Sequence, residues 1–138
     1  MQRRTPPRIS APPTDEELQL SLEMAREILA DPDEDWFPAN TFKLDEEFER
    51  LGLDTHEAQT DALRRAAAEV CLADYEQPEP PGLSNESACR GTPMLPFYWQ
   101  SESFGSLMFF KFGLQRHGYL YVFSLHVPDF PRKRQRKR

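Results

Sequence analysis

Cysteine is scarce in this 138-residue chain, which has only Cys71 and Cys89. Two thiols are too few for a disulfide framework, and no Cys-x-x-Cys or Cys/His spacing suits a metal. Long apolar runs and a secretory leader are also missing, so we expect a soluble cytoplasmic protein with neither membrane nor metal among its partners. No internal repeat is visible. No glycine-rich phosphate loop or other nucleotide signature occurs, so no cofactor is expected. The length bounds the chain to one domain with tails and a modest core.

Positive charge is sparse in the first part and common in the second. The first 80 residues hold eight Lys/Arg and twenty Asp/Glu, a balance of −12, whereas residues 81–138 hold nine and three, or +6. The overall acidity argues against a general nucleic-acid binder. It leaves room for a local basic site in the aromatic second half, and for a basic partner against the acidic first half.

Residues 1–13, MQRRTPPRISAPP, have little to bury and read as a disordered arm. Residues 14–130 read as a single α+β domain. Residues 131–138 form a basic tail, which suits an RNA-contacting arm, a localisation-like run or a solubilising end. Thr14 and Glu17 make a capping box for a helix over 15–30, with Leu18, Leu22, Ala25 and Leu29 on one stripe. Asp31-Pro32 ends it, and residues 31–42 read as a loop that docks Trp36 and Phe37 on the core. A helix over 43–51 follows, with Leu44, Phe48 and Leu51 inward. Gly52 suits its left-handed end and Leu53 the accompanying apolar contact. A third helix spans 55–74, then a proline-rich loop covers 76–96. Strand signal resumes at Phe97-Tyr98-Trp99. N-terminal helices packed on a C-terminal antiparallel β-sheet are therefore expected.

Residues 107–126, LMFFKFGLQRHGYLYVFSLH, read as a hairpin. Alternation places Met108, Phe110, Phe112 and Leu114 on one face of the first strand, and Tyr119, Tyr121, Phe123 and Leu125 on one face of the second. Uniting these apolar sets against the helices requires Leu114 opposite Tyr119 and Lys111 opposite Val122. Lys111, Ser124 and His126 then share the other face with Leu107, Phe109, Leu120 and Val122. That face is either covered by a neighbouring segment or the floor of a cleft with Lys111 and His126 as its polar groups.

Leu51-Gly52-Leu53-Asp54, a helix ending in Ala73-Asp74-Tyr75, the pair Trp99-Gln100, the strand 107–114 and Val122-Phe123-Ser124-Leu125-His126 follow in an order of their own. Over about residues 40–127 this order resembles the motility quorum-sensing regulator toxins of the RelE-like ribonuclease superfamily. The resemblance implies a RelE-like fold and metal-independent mRNA cleavage, in which a 2′-hydroxyl attacks the adjacent phosphate. It also implies RNA as substrate and an antitoxin protein as a possible partner. It assigns His126 as acid or base and Gln100 to orienting phosphate, with Lys111 the substitute cation. Trp99, Ser124 and Arg116 are the implied substrate contacts. Two positions depart from the family: Glu76 stands where it has a lysine, and Phe109 where it has a tyrosine. The alternative is a non-catalytic interaction or immunity-type module, with Asp45, Glu46, Glu47 and Glu49 forming an acidic helical layer for a basic partner. Convergence of Gln100, Lys111 and His126 in a concave site would favour the enzyme.

Overall fold

Helix α1 (Asp15–Ala30) begins where the capping box places it. In the computed structural model, which describes residues 5–76 and 82–128, Glu17 N donates to the Thr14 hydroxyl at 3.1 Å. Thr14 N returns a bond to the Glu17 carboxylate at 3.0 Å. Leu18, Leu22, Ala25 and Leu29 are all buried. Residues 5–13 contain no helix or strand. They are nevertheless attached: Ile9 packs against the core, and Ser10 N and Oγ donate to Glu17 at 2.8 and 2.6 Å. The run 131–138 lies outside the described residues, as do residues 1–4 and 77–81.

Helix α2 (Thr41–Arg50) starts two residues before the expected position, because the Asn40 side chain accepts from Lys43 N and acts as the N-cap. Its end matches the glycine signal. Gly52 has φ +75°, Gly52 N bonds to Glu49 O, and Leu53 N bonds to Phe48 O at 2.9 Å. That double closure satisfies the last carbonyls of the helix. Helix α3 (His56–Glu69) stops short of the expected residue 74. Val70 is extended, and Leu72–Asp74 form a separate 3-10 turn. The exposed carbonyls at this end are taken by Arg26 of α1, which donates to Ala67 O at 2.7 Å and to Val70 O at 2.8 Å. Arg64 of α3 returns the service by donating to Leu29 O of α1 at 3.0 Å. Neither helix has a basic residue in its own last turn, so each takes its capping cation from the other.

The four strands are β1 (Trp36–Pro38), β2 (Leu95–Ser101), β3 (Ser106–Leu114) and β4 (Leu120–His126), in the order β1-β4-β3-β2. The class is α+β as expected, but the sheet is mixed: β1 runs parallel to β4, pairing Trp36 with Leu120 and Pro38 with Val122. The expected loop thus supplies an edge strand, and Pro38 is tolerated there because an edge position needs fewer donors. Trp36 does dock on the core, edge-on to Phe48 at 6.0 Å. No helix among the described residues is long and apolar enough to cross a membrane.

The expected hairpin register is off by one at the turn. Leu114 faces Leu120, not Tyr119, and Phe112 faces Val122. Leu120 and Val122 therefore point into the core with Phe110 and Phe112, while Tyr121 and Phe123 lie on the outer face in a small cluster with Ala39 and Cys89. A β-bulge then shifts the pairing between Lys111 and Phe112. Beyond it Lys111 faces Ser124, Phe110 faces Leu125 and Phe109 faces His126. The supernumerary residue is Phe123, and it restores Leu125 to the core. Because of the bulge, Lys111, Ser124 and His126 share the outer face even though the register at the turn differs.

Candidate functional site

The outer face is where the sheet leaves polar side chains among aromatic rings. Strand β1 covers only residues 120–122 of β4. Beyond them α2 seals the open edge with side chains. Glu47 Oε1 accepts from Leu125 N at 2.9 Å, and Lys43 Nζ donates to the Phe123 carbonyl at 3.3 Å. The Ser124 hydroxyl accepts from Lys43 Nζ at 2.6 Å and donates to Glu47 Oε2 at 3.4 Å. Lys43 and Glu47 also pair with each other at 3.2 Å. Glu47 is thus buried, not part of an exposed acidic layer, whereas Asp45, Glu46 and Glu49 are exposed as expected.

His126 stands at the end of β4 with its Nε2 4.0 Å from Glu47 Oε2, a contact that becomes an ion pair only when the imidazole is protonated. Its ring lies 5.2 Å from Phe109, which in turn lies 4.6 Å from Tyr98. Lys111 is half-buried. Its ammonium sits 5.9 Å from the Phe109 ring and 6.0 Å from the Phe123 ring, and among the described residues it has no hydrogen-bond acceptor or carboxylate partner. Burial lowers its pKa from the ordinary lysine value. The nearby Lys43 ammonium pushes in the same direction, and the Glu47 carboxylate opposes both. Since Ser124 is the direct cross-strand partner of Lys111, His126 is its diagonal neighbour, a position about 7–8 Å away in an antiparallel pair.

The other expected residues separate from this pair. Gln100 pairs with Leu107 and is exposed on the outer face, but β3 lies between it and β4, which spaces it roughly 10 Å from the strand of His126. Trp99 points the other way: it is buried against the helices, and its indole N–H donates to Glu69 at 2.7 Å. It is therefore a core residue and presents no surface to a substrate. Arg116 lies in the hairpin turn, about six residues along β4 from His126, or roughly 20 Å. Tyr75 packs edge-on to Phe97 at 5.7 Å, with burial raising its hydroxyl pKa.

The Lys111–His126 face is sheet surface and not a concave site, and Gln100 stands apart from it, so the convergence that would favour an enzyme is not met; two cavities lie elsewhere. One of about 860 Å³ has Trp36 and His56, stacked at 5.3 Å, in its wall, and Asp31, Glu34, Asp35, Glu57 and Asp61 around it. The other lies at the hairpin turn. Lys43 and Glu47 escaped the sequence reading as site residues. Their signal was available: Leu44, Glu47, Phe48 and Leu51 have the 3-1-3 spacing of one helix face, which places Glu47 within the apolar stripe. Among the described residues no group of three or more His, Cys, Asp or Glu is placed to hold a metal ion.

The fold and the site thus define an α+β protein with a lysine–histidine pair on the open face of a mixed sheet. No protein-family model, curated protein or solved structure matches the chain.

Proposed function

We propose that the outer face of the sheet binds single-stranded RNA in the cytoplasm and cleaves it without a metal, in the manner of a RelE-like toxin. The observation that carries this reading is the Lys111 ammonium, held over Phe109 and Phe123 without a carboxylate partner and diagonal to His126. A cation left without an acceptor on an aromatic sheet face suits a phosphate, and Tyr98 and Phe109 offer rings on which unpaired bases stack. In the reaction the RNA 2′-hydroxyl oxygen attacks phosphorus as His126 takes its proton. The P–O5′ bond breaks as the leaving oxygen gains a proton from Lys111, whose lowered pKa makes it the better acid. Ser124 holds the Lys43–Glu47 link beside them, and Gln100 meets a neighbouring nucleotide on the far strand. An antitoxin protein is the regulatory partner this reading implies.

Single-turnover cleavage of a mixed-sequence RNA tests the proposal. His126→Ala should slow cleavage by about 10²–10⁴-fold, the usual size of a proton-transfer contribution, with an unchanged melting midpoint. Identical traces for the two proteins, or no cleavage by either, would overturn it.

A second reading, an interaction module for a basic partner, is favoured by the acid-rimmed cavity beside Trp36 and His56. There, binding of a lysine-rich peptide should weaken in Asp35→Asn and Glu57→Gln while His126→Ala leaves it unaltered.

A further inference from the structure

At the turn end of the β3–β4 hairpin a cavity of about 590 Å³ opens between residues 5–9, residues 90–93 and the turn 115–117. Arg8, Arg90, Arg116 and His117 line it, and no Asp or Glu does. This absence is notable in a chain with 23 carboxylates and a net charge of −6. Of the four other described arginines three are engaged, and only the exposed Arg50 is not: Arg26 and Arg64 bond to helix carbonyls, and Arg65 pairs with Asp61 at 3.1 Å. By contrast, Arg8, Arg90 and Arg116 make no hydrogen bond or ion pair among the described residues. Three arginines from three separate segments thus line one cavity with no carboxylate among them, a setting whose positive charge an anion would offset.

We propose that this cavity binds a small phosphorylated molecule of the nucleoside-phosphate class, with its phosphate held by Arg8, Arg90 and Arg116. Planar guanidiniums match the paired oxygens of a phosphate and are the favoured donors for it. The hydroxyl-bearing Ser21 and Thr92, both buried, add polar lining, while Ile9, Pro93, Leu95 and Leu114 give an apolar wall for the remainder of the ligand. The volume falls in the range of small-molecule sites. The site is separate from the Lys111–His126 face, being roughly 20 Å away along β4, so it stands or falls independently of RNA cleavage.

Calorimetric titration of the full chain with sodium pyrophosphate, AMP and adenosine tests it. Saturable binding of pyrophosphate and AMP, with none of adenosine, is expected. Arg90→Ala and Arg116→Ala should each weaken it about ten- to hundredfold, as for loss of a charge-assisted hydrogen bond. Arg65→Ala, which removes the same charge elsewhere, should leave it unchanged. Arg90 and Arg116 are exposed and unbonded, so the variants should melt as the wild type does; if either does not, Arg116→Lys, which keeps the charge and loses the fork, should show the same weakening. Absence of saturation at millimolar ligand, or equal affinity in all variants, would overturn the assignment. So would a short single-stranded RNA that displaces pyrophosphate and binds more tightly through the same arginines.

Discussion

Glu47 and Glu69 are single residues on which whole junctions rest. Removing the Glu47 carboxylate strands the buried Leu125 N–H and loosens Ser124. Glu47→Ala should therefore lower unfolding stability by about 1–3 kcal/mol, against about 0.5 or less for the exposed Asp45→Ala, as read from urea melts. Glu69, at the end of α3, accepts from Trp99 Nε1, Ser101 Oγ and Ser103 N. Burial pushes its pKa up, yet these hydrogen bonds outweigh burial and bring it down to about 2 from 4.5. A carboxylate whose folded pKa is depressed stabilises the protein above its unfolded pKa and loses that contribution as pH falls through the folded one. Glu69→Gln should therefore melt below wild type at neutral pH, and the gap should close between about pH 4.5 and 2. A gap that widens in acid would refute the bond pattern. The sequence gives no sign of Glu69, because its three donors come from the end of β2 and the turn after it, 30 to 34 positions away.

Among the elements, those governed by local chemistry were legible. The Thr14 box, the Gly52 end and the two strands of the hairpin follow from neighbouring residues alone. Register did not, because over residues 119–123 both alternating sets are apolar: Leu120 and Val122 suit the core as well as Tyr121 and Phe123 do. At the bulge the Phe123 carbonyl accepts from Lys43 of α2, a contact across 80 positions that local sequence does not announce. Strand β1 is three residues ending in proline and carries almost no strand pattern. The corrected faces still separate Phe110 from Phe109: Phe110 is fully buried and Phe109 is not. Phe110→Ala should cost about 3–5 kcal/mol in denaturant melts and Phe109→Ala distinctly less; equal losses would contradict the two-faced sheet.

At the scale of the whole chain, residues 132–138 hold six of the seventeen Lys/Arg. If RNA binds the outer face, deleting 132–138 should weaken binding and flatten its salt dependence, while the cleavage rate at saturating RNA stays unchanged. A filter-binding salt series checks this, each lost phosphate contact being worth about 0.7 in the log–log slope for a single strand. Of the candidate residues, the alternation of the hairpin placed Lys111 and His126 on one face, and they lie there as diagonal neighbours, whereas Gln100, Trp99 and Arg116 came from a linear order of motifs that the folded sheet spreads over two faces and two ends.

The exchanged arginines of α1 and α3 constrain how such a chain can change over time. Trimming from the N-terminus past Arg26 would leave the Ala67 and Val70 carbonyls bare, and trimming within α3 would do the same to Leu29. Descendants that shorten this domain must therefore lose both helices together, or first acquire a substitute donor. The pair would be inherited as one unit although about forty residues separate its halves.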